Sequence, residues 1–384
     1  MTQSLNDNSG GGALPAAAAT TPAHNAGLGH VLIVGAGLIG TSIGLALRQK
    51  GVEVSLHDLA PGRLALAGEL GAGRAATAGD TYDVAVLAVP PSAVPSELVR
   101  IQRLNLARTF TDVASAKAEP AREAEIIGAD MSTYVGGHPV AGRERSGPAA
   151  AHADLFIGRP WVISANAVAR PGAIADVWLL AETCGAVPVT MSADAHDAAL
   201  ATVSHLPHIV ASQLAAQLAT TDDATVGLGG TGLQDTTRIA AGDPNLWTQI
   251  LAANASHLAV ALAKFSADIQ ATVADLERIA TGDAAALDAV LATLQRGAAG
   301  RARVPIKRGL PAAGLVTVPI VVRDAPGELA AVLRALGEAG INVEDVRVEH
   351  EPGRDRGLVE LDVREDVAAA LVSCMQDAGW EVYS

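Results

Sequence analysis

Cysteine, early basic residues and long apolar runs are all scarce in this chain, and each shortage removes a class of protein. Only Cys184 and Cys374 are present; they match no metal or redox spacing and read as reduced structural thiols of a cytosolic protein. Gly, Pro or charge breaks every hydrophobic stretch before the roughly 20 residues that cross a bilayer, so a soluble protein with no membrane partner is expected. No Lys or Arg precedes Arg48. A basic signal-peptide region is therefore missing, and residues 1–28, rich in Ala, Gly, Thr and Asn, read as a disordered tail of a cytoplasmic protein. A net charge of −14 opposes binding to nucleic acid or anionic lipid by simple electrostatics. The same field repels a small dianion, so such a ligand has to be gripped by local arginines inside a cleft.

What the chain does have is length and apolar content, 384 residues of which 49% are hydrophobic, enough for two or three separate cores. From His30 it reads as strand, Gly-rich turn, helix and strand, and the alternation continues through 83–91, 108–115, 132–140 and 159–165. A helix near 171–184 and a strand at 186–191 complete the pattern. Such alternation predicts an α/β domain with a parallel sheet covered on both faces, spanning 29–192. An all-helical domain is expected over 193–295. Its segment 195–219 is apolar on much of its circumference, which points to burial inside a bundle or against a second subunit, and hence to a homodimer. Residues 296–314, basic and rich in Gly and Pro, read as a linker. Over 315–384 the order strand, helix, strand, strand, helix, strand predicts a small βαββαβ module. Leu329, Val332, Leu333 and Leu336 mark the inner face of its first helix.

Gly35-Ala36-Gly37-Leu38-Ile39-Gly40 follows an apolar strand and opens a helix, the context in which the GxGxxG pattern signals a Rossmann-type dinucleotide site. The first glycine permits the tight turn, the second admits the pyrophosphate, and the third allows close helix–strand packing. The helix start offers free N–H groups to the phosphates. Asp58, ending the second strand 18 residues after Gly40, is placed to accept hydrogen bonds from the adenosine ribose, which favours NAD over NADP. It equally serves as a loop carboxylate capping the next turn, and Arg63 nearby leaves room for a 2′-phosphate. Val89 and Pro90, closing the 83–91 strand, join the candidate cofactor residues.

Four further stretches narrow the reaction: Asp112-Val-Ala-Ser115-Ala-Lys117; Gly137-His138-Pro139-Val140-Ala141-Gly142 with Arg143 behind it; Ser204-His205-Leu206-Pro207-His208; and Thr237-Arg238-Ile239-Ala240 with Trp247 nine residues after the arginine. In this order, from the glycine turn through Trp247, they resemble the prephenate/arogenate dehydrogenase family. The resemblance implies NAD-dependent oxidative decarboxylation of prephenate to 4-hydroxyphenylpyruvate in tyrosine biosynthesis, with arogenate as the alternative substrate. It implies that His138 accepts the proton of the substrate's ring hydroxyl as hydride leaves, work that suits a side chain with an ordinary pKa of about 6.5. Against this stands a histidine merely buried beside Pro139 and satisfied by backbone. Ser115 corresponds to a serine between nicotinamide and that histidine, and also reads as a helix N-cap.

By the same resemblance Arg238 grips the ring carboxylate, for which a guanidinium fork suits better than an ammonium; its alternative is a salt bridge to Asp235 or Asp243. Ser204, His205 and His208 lie in or beside the substrate pocket. Trp247 walls it or belongs to a core. Pro207, lacking an N–H, is expected to kink the helix and open space for a ligand. His205 and His208 have no thiol or carboxylate cluster to complete a zinc site, so no metal is expected. Arg143 adds a cation that favours a keto acid over arogenate or faces solvent.

The C-terminal module resembles an ACT domain through Arg323 to Leu329 and Gly340-Ile341-Asn342. That resemblance implies amino-acid binding, by tyrosine, at Asp324, Pro326, Gly327 and Asn342, with dimerisation alone as the alternative. Two other classes compete. A 3-hydroxyacid or imine dehydrogenase needs a lysine in the helical domain, where only Lys264 is available. A non-enzymatic NAD and amino-acid sensor has no use for His138, Ser115 and Arg238 together.

Overall fold

Apolar runs that alternate with amphipathic helices build a single eight-stranded sheet over the first half of the chain. In the computed structural model, which describes residues 27–141, 147–304, 314–350 and 355–382, its strands are β1 (His30–Val34), β2 (Glu53–His57), β3 (Arg74–Ala75), β4 (Tyr82–Leu87), β5 (Ala107–Asp112), β6 (Tyr134–Pro139), β7 (Pro160–Ala165) and β8 (Val187–Thr190). Their order is β3-β2-β1-β4-β5-β6-β7-β8. Val31 and Ile33 of β1 face one core with Ile43, Leu47 and Val84, while Leu32 and Val34 face another with Leu87, Leu98 and Ile101. Period-2 alternation thus fills both faces of a covered sheet, and each such side chain, fully buried, stabilises by about 1.5–3 kcal/mol.

The sheet is parallel, as expected, except at one pairing. β1 to β6 are parallel, but β7 runs antiparallel to β6, and β8 is parallel to β7. A parallel return demands a crossover, usually a helix; among the described residues the β6–β7 connection holds only the 3₁₀ turn Pro148–Ala150. The strand order reverses between β1 and β4, the topological switch point beyond whose C-terminal ends open α/β sheets bind ligands.

The chain forms two compact units that divide between Ser266 and Ala267, inside the helix Ala255–Ala280. The first part of the expected helical domain therefore packs in the same unit as the sheet. Its leading segment is not one helix. Helix Ala193–Leu200 passes into a π turn, Ala201–His205, and resumes as Leu206–Leu218 with Pro207 in its first turn. A helical proline loses its bond to the carbonyl four residues back and its ring clashes there; for Pro207 that residue is Val203, inside the π turn, so the irregularity lies where the proline is expected to disturb the helix. Burial of 195–219 is also one-sided: His208 and Ala211 are buried in the resumed helix, while Val203 and Leu214 are exposed.

In the second unit helix Ala286–Ala302 runs through the first part of the stretch read as a linker, because its Ala and Arg residues are strong helix formers and outweigh Gly297 and Gly300. Residues 305–313 lie outside the described residues. Beyond them β9 (Leu315–Arg323), β10 (Asp345–His350), β11 (Arg356–Arg364) and β12 (Glu381–Val382) form an antiparallel sheet in the order β10-β11-β9-β12. Helices Glu328–Glu338 and Glu365–Asp377 cover it, giving the expected βαββαβ module. Val332 and Leu336 join its core, whereas Leu329 and Leu333, expected on the same inner face, are exposed. Among the described residues no single helix is long and apolar enough to cross a membrane.

Candidate active site

The turn after β1 is shaped by what a side chain would strike. A Cβ on Gly35, whose φ is +106°, would stand 2.2 Å from the Ala88 carbonyl oxygen, and one on Gly40 would stand 1.9 Å from the Gly35 carbonyl oxygen. Both must be glycine for β1, β4 and the helix Leu38–Gln49 to meet. Gly37, by contrast, has no neighbour within 4 Å of a built Cβ and is the N-cap, without a side-chain cap, of that helix. Open space in front of free N–H groups at a helix start fits a pyrophosphate. Leu38 and Ile39 begin the helix and pack against the core.

Asp58 lies at the end of β2 and faces this turn. Its Oδ2 accepts the Ala36 N–H at 2.8 Å and its Oδ1 the Ala60 N–H at 2.7 Å. The carboxylate therefore braces the glycine turn and the chain just before the next helix, while each oxygen keeps a lone pair for a further donor. Val89 and Pro90 follow β4 on the same edge, with Val89 packed under Gly35. The residues present fit a dinucleotide.

His138 is near the C-terminal end of β6 and is buried. Its partner is a second histidine rather than backbone: Nδ1 lies 2.8 Å from His196 Nε2. His196 Nδ1 in turn lies 2.7 Å from Asp197 Oδ1, and that carboxylate also accepts the N–H groups of Lys117 and Ala118, each at 2.8 Å. Burial, followed by the neighbouring His196, Lys117 and His205, holds the His138 imidazolium well below the usual histidine range. Burial works to raise the Asp197 carboxyl, but hydrogen bonds from His196, Ala118 and Lys117 outweigh it and leave it below the ordinary range. His138 is thus a neutral imidazole, and Asp197 an anion, at neutral pH.

Beneath His138 sits a buried ion pair. Lys117 Nζ donates to Asp112 Oδ1 at 2.6 Å and to the Gly137 carbonyl at 2.7 Å, and Asp112 Oδ1 accepts the Gly137 N–H at 3.0 Å. Burial depresses the Lys117 ammonium below the usual lysine range, with Asp112 working against it. Ser115 lies half-buried between Asp112 and Lys117. It is not the N-cap of the following helix: Lys117 occupies that position, and Asp197 supplies the cap from a distance.

A second group adjoins the first through Asn254. Its Nδ2 donates to the Asp197 carbonyl at 2.7 Å and reaches His205 Nδ1 at 3.0 Å. An amide nitrogen only donates, so His205 Nδ1 accepts and Nε2 carries the hydrogen. That Nε2, and Nδ1 of His208, have no hydrogen-bond partner among the described residues although both are buried. The His208 ring stacks on Trp247 with centroids 3.5 Å apart, and His205 meets Trp247 edge-on at 6.2 Å. Burial pushes His205 down to about 4, against the pull of Asp197, and lowers His208 as well.

Arg238 opens the 3₁₀ turn Arg238–Ala241, which packs on helix Leu206–Leu218 and ends at Gly242, close to His208 and Trp247. Its side chain is exposed. Ser204 is half-buried in the π turn. The fold thus brings His138, His205, His208 and Trp247 into one connected cluster, with Ser204 and Arg238 on the elements around it. Arg143 lies outside the described residues. In the second unit Asp324, Pro326 and Gly327 are exposed on the turn between β9 and the next helix, with Gly327 at φ +96°. Asn342 donates to Glu344 at 2.6 Å.

His196, Asp197 and Asn254 carry no expectation from sequence. The signal available was a His-Asp pair on an otherwise Ala-rich helix, which gains meaning only once that helix is seated against β6.

The sequence from 43 to 190 matches the family model described as prephenate dehydrogenase, nucleotide-binding domain, and 192 to 293 matches prephenate dehydrogenase, dimerization domain. A protein of Streptomyces niveus named a probable prephenate dehydrogenase is 36% identical over 358 residues, covering 92% of this chain and 99% of the relative. Among solved structures, prephenate dehydrogenase from Aquifex aeolicus, in complex with hydroxyphenyl propionate and NAD+, superposes with a TM-score of 0.62 at 26% identity, covering 71% of this chain and 99% of that one. Synechocystis arogenate dehydrogenase gives 0.57 at 25% identity over the same shares. A glycine turn built for a pyrophosphate, a buried neutral histidine beyond it and these matches over both halves of the site agree: the chain belongs to the prephenate dehydrogenase family.

Proposed function

We propose that this protein is a prephenate dehydrogenase that uses NAD to convert prephenate to 4-hydroxyphenylpyruvate and carbon dioxide in tyrosine biosynthesis. The observation that carries the reading is His138, a buried and neutral imidazole on the strand edge that also bears the glycine turn. NAD, when bound, accepts the hydride from the substrate's carbinol carbon. His138 takes the hydroxyl proton as the carbonyl forms, a contribution of about 10²–10⁴ in rate. The resulting ring ketone is conjugated through two alkenes to the carbon that holds the carboxylate, so carbon dioxide leaves as from a vinylogous β-keto acid. Aromatisation drives this loss.

Arg238 grips the ring carboxylate in this reading, supported by its place on a turn that ends close to His208 and Trp247. Ser204, His205 and His208 supply polar groups to the pocket, of which the unpartnered His205 Nε2–H is a donor suited to an anionic oxygen. Ser115 orients substrate and nicotinamide. Asp58, with Gly35 to Gly40, Val89 and Pro90, holds the adenosine and pyrophosphate end. The helical segment makes a homodimer, supported by the dimerization-domain match and by Leu214 and Val260 exposed on its helices. The C-terminal module binds tyrosine at Asp324, Pro326, Gly327 and Asn342 as a feedback effector, supported by its topology and the exposed strand-to-helix turn. The enzyme works in the cytoplasm.

The likeness to an arogenate dehydrogenase keeps a second substrate in view. NADH or NADPH formation measured with prephenate and arogenate, each with NAD and NADP, tests the reading. Turnover fastest with prephenate and NAD is expected; faster turnover of arogenate transfers the assignment to that substrate, and none with either removes it.

A further inference from the structure

The active-site base is tied to a carboxylate through a second ring, and the direction of each hydrogen bond in that chain can be deduced. The Asp197 carboxylate accepts two backbone N–H groups, from Lys117 and Ala118, which can only donate. An ionised carboxylate only accepts, so its contact with His196 at 2.7 Å requires the hydrogen on His196 Nδ1. In a neutral His196 ring Nε2 is then bare. The 2.8 Å contact to His138 therefore requires the hydrogen on His138 Nδ1.

We propose that His196 and Asp197 are positioning residues that lock His138 in the Nδ1–H tautomer, so that Nε2 alone is left to accept the proton of the substrate hydroxyl. The proposal rests on the reading of His138 as the base. The device is held from several sides. Ser192 caps the helix that carries the pair, through the Ala195 N–H; Asn254 donates to the Asp197 carbonyl; and the two rings meet nearly edge-on, at 80° with centroids 5.0 Å apart.

The opposite polarity has a defined consequence. A cationic His196 would donate from both nitrogens, place the hydrogen of His138 on Nε2 and abolish the base. The charged and titratable groups around it are Asp197, His138, His205, Lys117 and Asp112. Of these Lys117 opposes a second buried cation, and the Asp197 charge is shared with two amides as well as with the ring. A filler role alone is a poor account of the arrangement, since well-packed apolar residues would occupy the space without the desolvation that a buried His–Asp couple costs. A carboxylate that fixes an imidazole tautomer through Nδ1–H is a known way to prepare a histidine base; here it acts through an intervening ring.

Histidine labelled with ¹⁵N reads the tautomers directly in the full-length protein, with His138→Asn used to assign the signals. At pH 7.5 the wild-type His138 should show a protonated Nδ1 and a bare Nε2. In Asp197→Asn one of the two oxygens that accept a backbone N–H becomes an NH₂, and the negative charge that holds the hydrogen on His196 Nδ1 is lost, so the direction of the chain is no longer fixed and the Nε2–H tautomer of His138 should gain population. Turnover of prephenate should fall about 10²–10⁴-fold, with KM and NAD binding little changed. His196→Phe, which keeps the packing, guards against a misfolded Asp197→Asn: His138 should then show a mixture of tautomers, and kcat alone should fall. A wild-type His138 protonated on Nε2, or variants with unchanged tautomer and turnover, overturns the proposal. Inactive wild-type protein with the tautomer as stated would refute the assigned reaction and leave the positioning of the ring intact.

Discussion

Lys117 and Asp112 hold Gly137 by both of its backbone groups, the ammonium taking the carbonyl and the carboxylate taking the N–H. The residue before the proposed base is thus clamped by an ion pair that is itself buried. Gly137 has to be glycine, because a Cβ there would lie 2.7 Å from the Asp112 carbonyl oxygen. The pair therefore links the strand end of β5 to the setting of His138 on β6.

Removing one partner of such a pair leaves a buried charge uncompensated, at a cost of about 3–5 kcal/mol. Lys117→Met should lower the denaturation midpoint accordingly and reduce turnover as His138 loses its seat. A variant as stable as the parent would show that Asp112 takes up a proton or another partner, and that the clamp is dispensable.

Arg238→Ala should raise KM for prephenate by roughly 10- to 100-fold, the range expected for a hydrogen-bonded charge, with a smaller change in kcat. Steady-state kinetics at saturating NAD would measure it. An unchanged KM would make Arg238 a structural residue of its turn.

Acid should destabilise the protein through its histidines. His138, His205 and His208 all lie below their unfolded value of about 6.5, so below that pH the unfolded chain binds more protons than the folded one. The stability they contribute is complete above pH 6.5 and is lost as pH falls toward the folded value of His205, about 4. Thermal denaturation between pH 7.5 and 4.5 should show a falling midpoint, and His205→Asn should flatten the slope. Equal slopes in the two proteins would assign the acid sensitivity to other groups.

Truncation after Val304 removes the C-terminal module. If that module holds the effector, tyrosine should no longer inhibit the shortened enzyme while basal activity persists. Inhibition that survives would place tyrosine in the substrate pocket.

Much of this arrangement was legible from residues alone, for physical reasons that also mark where legibility ends. Gly35, Gly37 and Gly40 announce themselves because the chemistry of a turn and a phosphate is local. Strand positions follow from runs such as VLIV, whose alternation is a property of the strand itself. The direction of β7 is not: it depends on how the chain returns from β6. The Asp197–His196–His138 chain escapes in the same way, since its key contact joins residues 58 apart in sequence, and His196 looks like any histidine on an Ala-rich helix. Asp112 and Lys117 were visible as parts of a motif, yet their pairing depends on a loop that turns Lys117 back into the core.

The most direct test compares prephenate oxidation by the wild-type protein and His138→Asn, measured as initial NADH formation at saturating NAD. The account predicts a kcat reduced about 10²–10⁴-fold with KM nearly unchanged. A variant that turns over within twofold of the wild type would contradict it, because no other buried neutral imidazole here sits at the end of β6.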